Sequence, residues 1–81
     1  MMTRYEQCLT ELVAELVGES RKLSLTDTLL DQGIDSFLAL RLVRGIEDRL
    51  GAKVELESLY DYPTIEMLAK FIEEQAVNVN S

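Results

Sequence analysis

The sequence predicts an all-α protein, a small four-helix bundle of three longer helices and one short one with a long first loop. Three observations carry that expectation. Apolar residues recur at three- and four-residue spacing in separate stretches, glycines and one proline punctuate them, and no stretch alternates or carries a hairpin turn as strands would. At 81 residues the chain holds one domain at most.

Helix one is marked by Tyr5, Leu9, Leu12, Val13 and Leu16, with Glu6, Glu11 and Glu15 between them and Gly18 as its stop. Periodicity then lapses from Gly18 to Asp35, a loop containing Ser20, Ser24, Thr26, Thr28, Asp31 and Gly33. Leu23, Leu25, Leu29 and Leu30 are its expected anchors on the core. Ala39, Leu42, Val43, Ile46 and Leu50 mark a second amphipathic helix ending at Gly51, with Asp35 or Ser36 as its N-cap. Leu56 and Leu59 suit one helical turn within Val54 to Tyr60. Pro63 and Thr64 then open a last helix with Ile65, Leu68, Ala69 and Ile72 inward. The ordered core is expected over about residues 4–75, with 76–81 as a flexible tail.

Composition narrows the function. Hydrophobic residues make up 47% and charged residues 28%, the balance of a soluble globular protein. No apolar run is long enough to span a bilayer, and Arg4, Glu6, Glu11 and Glu15 interrupt what would have to be a signal peptide. A cytoplasmic monomer without membrane attachment is expected. The net charge of -7 disfavours nucleic acid and anionic lipid by repulsion. Cys8 is the only cysteine and histidine is absent, which excludes an internal disulfide and the usual zinc sites; no metal is expected, and Cys8 reads as a small hydrophobe.

The stretch "DQGIDSFLAL" places Ser36 between Asp35 and large apolar side chains. A nucleophilic serine needs a base, and there is no histidine to act as one. The G-x-S-x-G elbow is absent too. Setting Gly33 as the sixth position of a calcium loop puts Thr28 first and Leu30 third, where oxygen ligands belong, so that reading fails. A phosphate-cradling loop would need more glycines and a lysine. What remains is a helix cap or a serine modified by another enzyme, at a helix N-terminus that favours a phosphate ester. Phe37, Leu40, Arg41 and Arg44 form a stripe separate from Leu42, Val43, Ile46 and Leu50. It either broadens the core face or serves as a docking surface.

"LLDQGIDSFLALRLV" resembles the G-x-D-S signature of acyl carrier proteins and related thiolation domains, and "DYPTIEMLAKFIEE" resembles that family's last helix. The resemblance covers nearly all of residues 1–81, as a single carrier domain. It implies that Ser36 receives 4'-phosphopantetheine from coenzyme A through a phosphopantetheinyl transferase, and that acyl groups ride on the arm as thioesters. The chain would itself catalyse nothing, and its other partners would be acyl-loading and synthase enzymes. Asp35 is likened to the family's aspartate, which helps hold the transferase's magnesium. Gln32 and Ile34 around Gly33 depart from the paired glycine of many aminoacyl carriers. Arg41, Arg44 and Arg49 outnumber Glu47 and Asp48, unlike the acidic second helix of fatty-acid carriers. The resemblance is therefore closest to polyketide-type carriers of secondary metabolism. A peptidyl carrier of nonribosomal peptide synthesis and an unmodified helical adaptor using Phe37 and Leu40 are the alternatives.

Overall fold

The computed structural model describes residues 2–18 and 23–79, with side chains to residue 76. Four helices follow in order: α1 Arg4–Val17, α2 Ser36–Leu50, α3 Leu56–Asp61 and α4 Ile65–Val79. Among the described residues no strand forms, and the extended pairing is an isolated antiparallel bridge between Thr28 and Thr64.

Each boundary has a local cause. Thr3 Oγ1 accepts from the Glu6 N–H at 3.1 Å while Glu6 Oε1 accepts from the Thr3 N–H at 2.9 Å, a reciprocal cap on α1. Gly18 and Gly51 close α1 and α2 at φ 69° and 66°, a left-handed conformation open to glycine at low cost. Thr64 Oγ1 accepts from the Met67 N–H at 3.1 Å and opens α4 just after Pro63. The helix runs on to Val79, into the stretch expected to be a frayed tail. Ser20 of the loop and residues 80–81 lie outside the described residues.

The core is one cluster centred on Leu9, Val13, Leu42, Ile46, Ile65, Leu68 and Ile72. α1 packs on both α2 and α4, and α3 closes one end against α2. Gly45 sets the closeness of the first pair, since a Cβ placed there would lie 2.8 Å from Leu12 Cδ2. Tyr5 near the start of α1 shares a hollow with Leu50 and Gly51 at the end of α2, and Leu16 near the end of α1 shares a groove with Phe37 and Leu40 at the start of α2. α1 and α2 therefore run side by side in opposite senses, and the long loop joins the end of α1 to the start of α2 at the same end of the bundle.

That loop is held by more than its leucines. Leu29 is buried, and Leu23 and Leu25 pack partly against the core, as expected of anchors. Leu30 is not an anchor: it is 74% exposed. The Leu29 N–H donates to the Pro63 carbonyl at 2.8 Å and the Glu66 N–H to the Leu25 carbonyl at 3.0 Å, tying the loop to the start of α4. These bonds turn Leu29 inward, and its neighbour is left facing out. Val43 and Leu50, expected on the core face of α2, lie half-buried at its edges.

Candidate functional site: the N-terminus of α2

The chain reaches Ser36 through a turn that local residues build. The Gln32 and Gly33 N–H groups bond back to Leu29 and Leu30, the Ile34 N–H donates to the Leu29 carbonyl at 3.0 Å, and Gly33 takes φ 105°. Ile34 is buried, which pins the strand of chain just ahead of the helix. Asp35 is then extended, and its Oδ1 accepts from the Leu38 N–H at 2.9 Å. The choice between the two candidate caps is thereby settled: Asp35 caps and Ser36 is the first helical residue.

The consequence is chemical. Ser36 is exposed, and its hydroxyl makes no hydrogen bond to another described residue. It stands where the first-turn N–H groups lack intrahelical acceptors and the helix dipole favours an anion. On one side a hollow of about 240 Å³ opens beside Ser36, lined by Leu29, Ile34, Ala39 and Leu59 and rimmed by the exposed Leu30 and Tyr60. On the other side lies the stripe singled out in the sequence. Phe37 is 66% and Leu40 56% exposed, so neither joins the core. Arg41 and Arg44 are exposed beside them, and the Arg41 guanidinium sits 5.8 Å from the centroid of the Phe37 ring. The structure thus gathers all six singled-out residues, Asp35, Ser36, Phe37, Leu40, Arg41 and Arg44, along the first three turns of one helix.

Arg49 stands apart from the other two arginines. Its Nη2 donates to both carboxylate oxygens of Glu15 at 2.8 Å, and the guanidinium pKa is raised by that hydrogen bond and by the Glu15 charge. The pair is solvated and ties α1 to α2 only weakly. Arg49 is thereby removed from the count of available positive charges on this helix.

Gln32 has a role that the sequence did not show. It is buried at 6% exposure, and its side-chain amide spans the loop. Oε1 accepts from the Ser24 N–H at 2.7 Å, while Nε2 donates to the carbonyls of Ser24 at 2.9 Å and Asp27 at 3.1 Å. Ser24 Oγ in turn accepts from the N–H groups of Thr26 and Asp27. One side chain four residues ahead of Ser36 therefore holds the far part of the loop in place. The only hint in the sequence was a polar residue between the buried Leu29 and Ile34, which is common in loops.

The N-terminus of α2 thus leaves one exposed serine hydroxyl out of its own cap, with an apolar hollow and an exposed apolar rim around it. The comparisons with known proteins give the class of protein. The family described as "Phosphopantetheine attachment site" matches residues 7–72, and the chain belongs to this family of carrier domains. Such domains hold 4'-phosphopantetheine covalently and are carriers, not enzymes. The chain is 38% identical over 58 residues, 72% of its length, to a bassianolide nonribosomal cyclodepsipeptide synthetase of Beauveria bassiana. It is 34% identical over 71 residues, 88% of its length, to a dimodular nonribosomal peptide synthase of Bacillus subtilis. Against an indigoidine synthase of Streptomyces lavendulae it is 36% identical over 58 residues. The chain spans only 2%, 3% and 4% of these relatives' own lengths. Among the described residues no helix is long and apolar enough to cross a membrane.

Proposed function

We propose that residues 1–81 act as one carrier domain whose Ser36 is the attachment residue, serving nonribosomal peptide assembly with an aminoacyl or peptidyl cargo. One observation carries the site: Asp35 supplies the cap, which leaves the Ser36 hydroxyl free and exposed at a helix N-terminus. In the loading step a transferase binds coenzyme A with magnesium, which the free oxygen of Asp35 is placed to help hold. The Ser36 hydroxyl gives up its proton and its oxygen bonds to the phosphorus that bears pantetheine. The bond from that phosphorus to 3',5'-adenosine bisphosphate breaks, and the bisphosphate leaves.

The bound arm supplies a terminal thiol for thioester chemistry. The chain's own residues do the rest. The α2 N–H groups and dipole stabilise the phosphodiester, and the apolar hollow offers the arm a place to lie. Tethering raises the local concentration of cargo at each partner active site. Phe37, Leu40, Arg41 and Arg44 form the surface on which the transferase and the loading and synthase enzymes settle.

The names of the relatives favour the peptide reading of the cargo. The departure at Gln32, Gly33 and Ile34 from a paired glycine favours a second reading, an acyl cargo of the polyketide type. Intact mass after incubation with coenzyme A and a promiscuous transferase tests the site. The wild type should gain one arm and Ser36→Ala none; an arm on the variant would refute the assignment. Presenting the loaded protein to an adenylating enzyme and to a malonyl transferase separates the two cargoes.

A further inference from the structure

A groove of about 520 Å³ runs between α1 and α2, away from the hollow at Ser36. Leu12 and Leu16 of α1 form its floor, with Leu12 packed directly against Gly45, and Leu40, Arg41 and Arg44 form its α2 wall. We propose that this groove is a docking site for one amphipathic helix of a partner enzyme, a helix carrying two carboxylates one turn apart beside an aliphatic face.

The charge pattern selects that occupant. The chain carries eight basic and fifteen acidic residues, yet Arg41, Arg44 and Arg49, three of the eight, line this single groove, against Asp48 as its one lining carboxylate. Glu15 already neutralises Arg49 from α1. Among the described residues Arg41 and Arg44 have no ion-pair partner, so two positive charges one turn apart await an acceptor. A basic or neutral segment would leave them facing like charge or nothing.

Size and polarity match a helix. From Phe37 to Asp48 the wall runs about 16 Å at 1.5 Å per residue, some three turns of a helix laid alongside. The floor is apolar, so the partner's aliphatic face belongs there. Asp48, four positions beyond Arg44 on α2, sets a negative charge toward the far end of the groove, so the partner's carboxylates belong nearer Ser36, opposite Arg41 and Arg44. A helix seated this way would lie beside the arm without covering the attachment oxygen.

The inference does not require Ser36 to be loaded, and the test is arranged accordingly. Isotope-labelled Ser36→Ala protein, which cannot be armed at that position, is titrated with two synthetic helical peptides. One carries a leucine face flanked by two glutamates one turn apart, and its twin carries lysines in their place. The expected result is saturable amide shifts at Leu12, Leu16, Arg44 and Gly45 with the glutamate peptide, weakened by salt, and binding about tenfold poorer for the lysine twin. The double variant Arg41→Glu, Arg44→Glu should reverse the preference. Should that variant lose its native amide spectrum, Arg44→Gln takes its place and should weaken the glutamate peptide. Equal binding of both peptides, no saturation, shifts confined to Leu30 and Tyr60, or arginine variants that bind the glutamate peptide unchanged would each overturn the groove. None of these outcomes bears on whether Ser36 accepts an arm, which intact mass decides separately.

Discussion

Leu40 and Leu42 are the same residue type, two positions apart on one helix, and their situations are opposite. Leu42 is 0% exposed at the centre of the cluster, while Leu40 is 56% exposed beside Arg41 and Arg44. Two residues of an α-helix turn through about 200°, so one stripe of α2 faces the shared core while the other faces water. The lesson is about division of labour: the buried stripe gives stability, and the exposed stripe keeps apolar surface that folding alone would not require. Each stripe can be attacked without the other.

The largest expected effect is on the buried side. Leu42→Ala should destabilise by about 2 to 5 kcal/mol, because a fully packed side chain leaves a cavity behind. Thermal and denaturant unfolding followed by circular dichroism measure it. A loss below about 1 kcal/mol would erase the distinction between the stripes.

Next comes the loop that delivers the exposed stripe. Gln32→Ala removes three hydrogen bonds and leaves the Ser24 N–H and the carbonyls of Ser24 and Asp27 to find new partners. About 1 to 3 kcal/mol should be lost, with faster hydrogen exchange concentrated at Ser24–Asp27 rather than spread through α2. Uniform exchange throughout the chain would mean that Gln32 supports the whole bundle and not the loop.

Gly45 sits between the stripes. Gly45→Ala gains helix propensity of about 1 kcal/mol but drives a methyl to within 2.8 Å of Leu12 Cδ2, where overpacking costs about 1 to 3 kcal/mol. A net loss of about 1 kcal/mol is expected in urea unfolding. A gain would show that Leu12 can rotate away freely.

The smallest effect on stability sharpens the comparison most. Leu40→Ala should change stability by no more than about 0.5 kcal/mol, as surface substitutions do, yet slow arm transfer to Ser36 by the transferase. Transfer at the wild-type rate would leave Leu40 without a docking role in that step.

What the sequence determined by itself is the set of features decided within a turn or two of chain. Periodicity placed the three longer helices, Leu56 and Leu59 suggested the single short turn, Gly18 and Gly51 marked two ends, Pro63 and Thr64 marked a start, and the aspartate-serine pair marked the start of α2. Such features are legible because an amphipathic stripe and a cap depend on residues three or four positions apart. The separation of Phe37 and Leu40 from the core face was half-legible: the wheel drew the stripe, but only the packed helices showed which side stayed wet. The rest belongs to tertiary structure alone. Leu29 is buried and Leu30 exposed because Pro63, thirty-four positions from Leu29, receives its N–H. Arg49 is paired because Glu15 lies across from it on α1, and Gly45 matters because Leu12 lies against it. Gln32 is buried because the loop folds back over its own amide. In each of the last four cases the deciding partner lies on another element or across a fold of the loop, and no repeat in the chain encodes its arrival. Only the assembled bundle brings it within a few ångströms.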